Sequence, residues 1–103
     1  MPIPKVALVT GATRGAGKGI ALGLAAKAMT VYVTGRSGRT ATATLKGETL
    51  SGTLDETIAA INAAGGTGIG ITCDHGDDEQ TRQVFEQIGQ EKGRLDVLVN
   101  NAA

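Results

Sequence analysis

The 103-residue sequence predicts an α/β domain, with a parallel sheet of four strands covered by helices on both faces. Two observations predict it. Short β-branched runs alternate with segments of helical spacing, in the order βαβαβαβ, and that alternation leads to right-handed crossovers and a parallel sheet. Aromatic residues are nearly absent, with one Tyr and one Phe. The core must therefore be built from Val, Ile, Leu and Ala, as in sheets buried on both sides.

Lys5 to Thr10 (KVALVT) is the first strand. A glycine-rich turn follows, then a helix from about Gly15 to Ala28. Ile20 and Leu24 in this helix stand four apart, with Ala21, Ala25 and Ala28 on the adjoining stripe. Gly15, Gly19 and Gly23 also recur every four residues, which suggests a face packed closely on the sheet. Val31 to Thr34 is the second strand. Residues 35–52 are small, polar and without a period, so they read as a long, insertion-like loop. Thr53 and Glu56 form a capping-box pattern ahead of Leu54, Ile58 and Ile61 at helical spacing, and Gly65-Gly66 stops that helix. Thr67 to Cys73 alternates as the third strand, with glycines where a neighbour can approach closely. Asp77 with Gln80 caps a third helix that carries Val84, Phe85 and Ile88 and ends near Gly93. Leu95 to Asn100 is the fourth strand.

Composition narrows the function classes. Hydrophobic residues make up 41% and charged residues 19%, values of a soluble globular chain. No apolar stretch has the length of a membrane span, and the N-terminus has no signal-peptide pattern. With one cysteine, Cys73, intrachain disulfides and Cys-based metal sites are excluded, and a reducing cytoplasm is the expected compartment. The net charge of zero conceals an asymmetry. Residues 1–47 hold seven basic residues and no acid, whereas residues 48–103 hold three basic and ten acidic residues. A basic half without aromatic residues to stack on bases does not suit nucleic acid. It suits a compact anionic ligand, with Lys5, Lys27 and Lys46 read as solvated surface charges. Asp77, Asp78 and Glu79 suit the first turn of a helix and need no metal.

The candidate anion site is "VTGATRGAGKGIA", where the first strand passes into the first helix. Glycines there allow a tight turn and close approach of backbone N–H groups to a phosphate, and the helix N-terminus adds partial positive charge. The spacing T-G-x-x-x-G-x-G from Thr10 to Gly17 is neither the Walker loop, since Gly19 replaces the hydroxyl residue after Lys18, nor G-x-G-x-x-G. Its position sharpens the reading. Gly11 to Gly17, Gly35-Arg36, Asp74-His75 and Asn100 to Ala102 each fall at the carboxyl end of an expected strand. Open parallel sheets bind ligands along that edge, where strand order reverses. At the end of the second strand an acid would bond the ribose 2′-OH of NAD. Gly35 and Arg36 stand there instead, so a 2′-phosphate is accommodated and NADP is favoured over NAD, with Arg14 able to reach the same phosphate.

These motifs resemble the short-chain dehydrogenases/reductases: T-G-A-T-R-G-A-G from Thr10 to Gly17, V-T-G-R on the second strand, Cys73-Asp74 after the third, and L-D-V-L-V-N-N-A on the fourth. The resemblance covers essentially the whole chain. It implies a Rossmann-like, doubly wound sheet of order 3-2-1-4 with three helices. It also implies hydride transfer between NADP(H) and a small carbonyl or alcohol substrate in the intact enzyme. The cofactor residues it assigns are Gly11, Thr13, Arg14, Gly15, Ala16, Gly17, Arg36, Asp74, His75, Asn101 and Ala102. Asp74 would bond the adenine amino group, His75 would line the adenine pocket or face solvent, and Asn101 and Ala102 would lie against the ribose.

Four departures stand out. Ala16 occupies the place of the usual Ile, Ala103 that of a Gly, and Ala28 that of a Gly which commonly ends the first helix. If the backbone is left-handed at Ala28, it costs roughly 1–2 kcal/mol. The largest departure is that the family's catalytic Ser and Tyr-x-x-x-Lys pair, which follow the Asn-Asn-Ala segment, have no counterpart. Tyr32 is the sole tyrosine, sits within the second strand, and has Arg36 four residues on. No catalytic or metal-binding residue is therefore assigned. The apolar fourth strand calls for a fifth, and residues 1–103 read as a partial dinucleotide-binding domain, truncated before the family's later strands. Two competing readings are a non-catalytic or partner-dependent NADP(H)-binding module and an S-adenosylmethionine site. The latter is disfavoured by Arg36 where such sites prefer an acid.

Overall fold

The computed structural model describes residues 4–11, 15–35, 44–45, 48–49, 54–73 and 77–100. The elements are β1 (Val6–Val9), α1 (Gly15–Ala25), β2 (Thr30–Gly35), β3 (Thr44–Leu45), β4 (Glu48–Thr49), α2 (Leu54–Ala63), β5 (Thr67–Thr72), α3 (Asp78–Lys92) and β6 (Val97–Val99). The main sheet has the order β5-β2-β1-β6, which is 3-2-1-4 counted along its own strands, and every pairing is parallel. It is a Rossmann-like, doubly wound sheet.

β1 and β2 lie in the middle, and each of their residues is buried. Side chains alternate between two cores. On one face Ala7, Val9, Val31 and Val33 meet Ala21 and Ala25 of α1 and Leu54 and Ile61 of α2. On the other, Val6, Leu8, Tyr32 and Cys73 meet Val84 and Ile88 of α3. Full burial of one such Val or Leu contributes about 1.5–3 kcal/mol, so these short strands are held by packing more than by length.

Glycines set how closely α2 sits on β5. A Cβ at Gly68 would lie 3.2 Å from Ile58 O and Ile61, and one at Gly70 would lie 2.5 Å from Ile58 Cδ1. The close approach expected of this strand's glycines is thus made by a helix. Gly65, with φ 102°, turns the chain after α2. Asp77 caps α3 as its spacing predicts, accepting from the backbone N–H groups of Glu79 at 2.9 Å and Gln80 at 3.3 Å, and Gly93 ends the helix left-handed at φ 71°.

Three expectations need correction. Residues 44–49 are not wholly without secondary structure, because β3 and β4 pair antiparallel, Thr44 with Thr49 and Leu45 with Glu48. Gly19 and Gly23 do not form the close-packed face of α1. Both are exposed, with nothing within 4 Å of an added Cβ. The face against the sheet is Gly17, Ala21 and Ala25, while Ile20 is 39% exposed. Phe85 likewise lies outside the α3 core, at 41% exposure. Thr53 of the expected capping box lies outside the described residues.

One side-chain bond ties the layers and another the sheet. The Tyr32 hydroxyl, on fully buried β2, donates to Glu91 Oε1 of α3 at 2.5 Å. Asp96 Oδ2 accepts from Val6 N at 2.8 Å, while Asp96 N donates to Val6 O at 2.8 Å, fixing β6 against the start of β1.

Candidate functional site

The carboxyl ends of β5, β2, β1 and β6 lie side by side, and hydrogen bonds join them. Cys73 N donates to Gly35 O at 2.9 Å, joining the ends of β5 and β2. Gly11 N donates to Thr34 Oγ1 at 3.4 Å, joining β1 to β2. Thr10 N donates to Val99 O at 3.0 Å, and Thr10 Oγ1 donates toward Asn100 Oδ1 at 3.2 Å, joining β1 to β6. The last pair spans the point where strand order reverses, since the chain leaves β1 toward β2 on one side and returns as β6 on the other.

Of the expected cofactor residues, the structure describes Gly11, Gly15, Ala16 and Gly17. Gly11 is left-handed at φ 64°, a conformation that costs a residue with a Cβ, and it turns the chain out of β1. Gly15, Ala16 and Gly17 are the opening residues of α1. The first four N–H groups of a helix have no intrahelical acceptor, so this stretch offers backbone donors at the sheet edge. Thr13, Arg14, Arg36, Asp74, His75, Asn101 and Ala102 lie outside the described residues. Three of these positions follow directly on the bonded strand ends: Arg36 follows Gly35, Asp74 follows Cys73, and Asn101 follows Asn100.

Electrostatics separate α1 from the other two described helices. α2 carries Asp55 and Glu56 in its first turn, and α3 carries Asp78 and Glu79. α1 has no acid in its first turn, and half-buried Lys18 lies there instead. Carboxylates offset the positive end of α2 and α3, whereas no carboxylate in its own first turn offsets that of α1. Among the described residues no group of three His, Cys, Asp or Glu side chains could hold a metal ion. None of the described helices is long and apolar enough to cross a membrane. Tyr32 is remote from this chemistry. Burial first, and the Glu91 carboxylate second, push its hydroxyl well above the ordinary tyrosine range, so it stays protonated.

Sequence reasoning placed Asn100 at this edge together with Asn101 and Ala102, but assigned no role there to the Thr34 hydroxyl. A hydroxyl residue closing an otherwise apolar strand beside a glycine turn is the signal that could have found Thr34.

The family model for short chain dehydrogenase matches residues 5–103. This chain belongs to the short-chain dehydrogenase family. Dehydrogenase/reductase SDR family member 1 of Mus musculus is 42% identical over 99 residues, an alignment that covers 95% of this chain and 28% of that relative. A metagenomic short-chain oxidoreductase in complex with NADP superimposes with a TM-score of 0.80 at 32% identity, covering 96% of this chain and 39% of that one. An NADH-dependent reductase complexed with NAD shares the fold, with a TM-score of 0.75 at 22% identity, covering 97% of this chain and 36% of that one. This short-chain dehydrogenase chain thus spans under a third of its mouse relative's length.

Proposed function

We propose that the carboxyl edge of this sheet binds NADP(H), and that residues 1–103 are the cofactor-holding part of an oxidoreductase. The observation that carries this reading is the acid-free N-terminus of α1, set behind left-handed Gly11 at the strand-order reversal. The donors fit a pyrophosphate in kind. The backbone N–H groups of Gly15, Ala16 and Gly17 would bind its oxygens, and Thr13 and Arg14, which precede them in the sequence, would add a hydroxyl and a guanidinium to the same phosphates. Arg36 would bind the 2′-phosphate, with no acid beside it to repel that group. Asp74 and His75 would hold the adenine, and Asn101 and Ala102 the ribose. NADP(H), when bound, supplies a hydride to a carbonyl carbon or takes one from an alcohol carbon. The metagenomic neighbour solved with NADP supports dinucleotide binding at such a fold, and the preference for NADP over NAD rests on Arg36 in place of an acid.

The chain's own residues stop at binding and orienting. Reduction of a carbonyl needs an acid to protonate the developing alkoxide. Tyr32 cannot serve, because it is fully buried and its hydroxyl is engaged by Glu91. The small carbonyl or alcohol substrate is therefore assigned to the intact enzyme. The single buried cysteine suits the cytoplasm.

Titrating the chain with NADPH and with NADH tests the proposal. Tighter binding of NADPH, by about tenfold or more as expected for one charge-assisted phosphate contact, is the predicted result. Equal affinity, or binding of neither by a demonstrably folded sample, refutes it. Carbonyl substrates supplied with NADPH should show no turnover on this chain.

A further inference from the structure

We infer that Thr34 is a positioning residue for the glycine turn: its buried hydroxyl accepts the Gly11 N–H and so sets where α1 begins. The inference rests on the reading of this edge as a dinucleotide site, and it adds a residue outside the glycine motif.

β1 and β2 run parallel with Val9 beside Val33, so the next step along the register brings Thr34 level with Thr10 and the turn that follows. Thr34 is fully buried in a strand whose other members are mostly apolar, Val31, Tyr32 and Val33. Valine would serve such a place as packing, and a buried hydroxyl costs free energy unless it is bonded. The structure shows one of its uses, as acceptor from Gly11 N at 3.4 Å. On the opposite side Thr10 is held to β6 through Val99 O and Asn100 Oδ1. The backbone on either side of Thr10 is thus held from both neighbouring strands, the Val9–Thr10 peptide to β6 and the Thr10–Gly11 peptide to β2, just where φ 64° turns the chain outward.

Two consequences follow for the site. The Gly11 N–H is directed at β2, so Gly11 acts as the hinge of the turn and the phosphate donors lie further on, at Gly15–Gly17. Gly11 stands four positions ahead of Gly15 in the sequence, so the braced residue and those donors are near neighbours along the chain. Binding geometry of this kind tolerates displacements of only about 0.5 Å.

Two complementary variants test the inference. Thr34→Val keeps the shape and removes the hydroxyl, whereas Thr34→Ser keeps the hydroxyl and removes the methyl. NADPH affinity is measured for each, together with thermal unfolding and amide hydrogen exchange at Gly11. The expected result is that binding follows the hydroxyl. Thr34→Val should bind about tenfold more weakly and exchange Gly11 faster, while Thr34→Ser stays within about threefold of the parent despite its lost methyl. Equal binding by all three proteins, or weakened binding by Thr34→Ser alone, overturns the inference. If Thr34→Val does not fold, Gly11 exchange in the parent decides, since a rate equal to that of an open peptide also overturns it. If the parent binds no NADPH, the cofactor reading fails, and the change in Gly11 exchange between parent and Thr34→Val still decides the brace.

Discussion

Replacing Ala28 by glycine should stabilise this protein. Ala28 has φ 60°, the one described residue other than glycine in the left-handed region. It follows α1 in the turn that leads to β2, and its N–H donates to Ala25 O at 2.9 Å. An L-residue there pays about 1–2 kcal/mol, because its Cβ crowds the following carbonyl oxygen. Glycine removes that cost and keeps the backbone bond. Ala28 is exposed, so deleting its methyl opens no cavity. Against this, glycine gives the unfolded chain more freedom, which offsets about 0.4–1 kcal/mol. The net gain is about 0.5–1 kcal/mol, equivalent to roughly 2–8 °C in Tm for a domain of this size. Urea and thermal unfolding of Ala28→Gly beside the parent measure it. An unchanged or lowered midpoint would refute the reasoning, and would mean that the turn relaxes out of the left-handed region at little cost.

Other predictions concern packing and pH. Gly66→Ala would place a Cβ 2.9 Å from Ala25 Cα and Met29 O, groups that cannot rotate away, and should destabilise by about 1–3 kcal/mol. Gly23→Ala meets nothing within 4 Å on an exposed helix face and should stabilise by up to about 1 kcal/mol, so opposite shifts in the urea midpoint are expected. Because burial and Glu91 raise the Tyr32 hydroxyl, the unfolded chain loses that proton first as pH rises. Stability should therefore fall above about pH 10, the ordinary tyrosine value, and Tyr32→Phe should abolish that fall in unfolding measured against pH. Asp96 is held below the ordinary carboxylate range by Arg94 first and by the Val6 N–H second. Its contribution is present above about pH 4 and is lost as pH falls through the lowered native value, so Asp96→Asn should flatten the acid limb of the same profile.

The elements that the sequence disclosed share one property, a contrast strong enough to survive tertiary context. Val6–Val9 and Val31–Val33 are apolar runs buried on both faces, and Asp77 with Gln80 places the start of α3. α1 lacked such contrast. Its Ala, Gly and Leu residues differ more in volume than in polarity, so size alone points to Ile20 as the core side, yet small Ala21 and Ala25 are what lets the helix approach the sheet. β3 and β4 have two residues each, too few to display an alternation. At the site, strand order and glycine spacing pointed to the carboxyl edge, where Gly11 and the opening of α1 lie. The sequence offered the Thr34 hydroxyl only as a polar residue late in its strand; its partner was not legible, because Gly11 lies 23 positions away and meets it only through the parallel register.

The most direct test of the central claim is amide chemical-shift mapping of the chain as NADPH is added. The account predicts that Gly11 and the opening of α1, Gly15 to Gly17, respond together with Gly35, Cys73 and Asn100. Arg94 and Asp96, at the opposite end of the sheet, should stay unmoved. Shifts confined to that opposite end, or none at saturating NADPH in a folded sample, would contradict it.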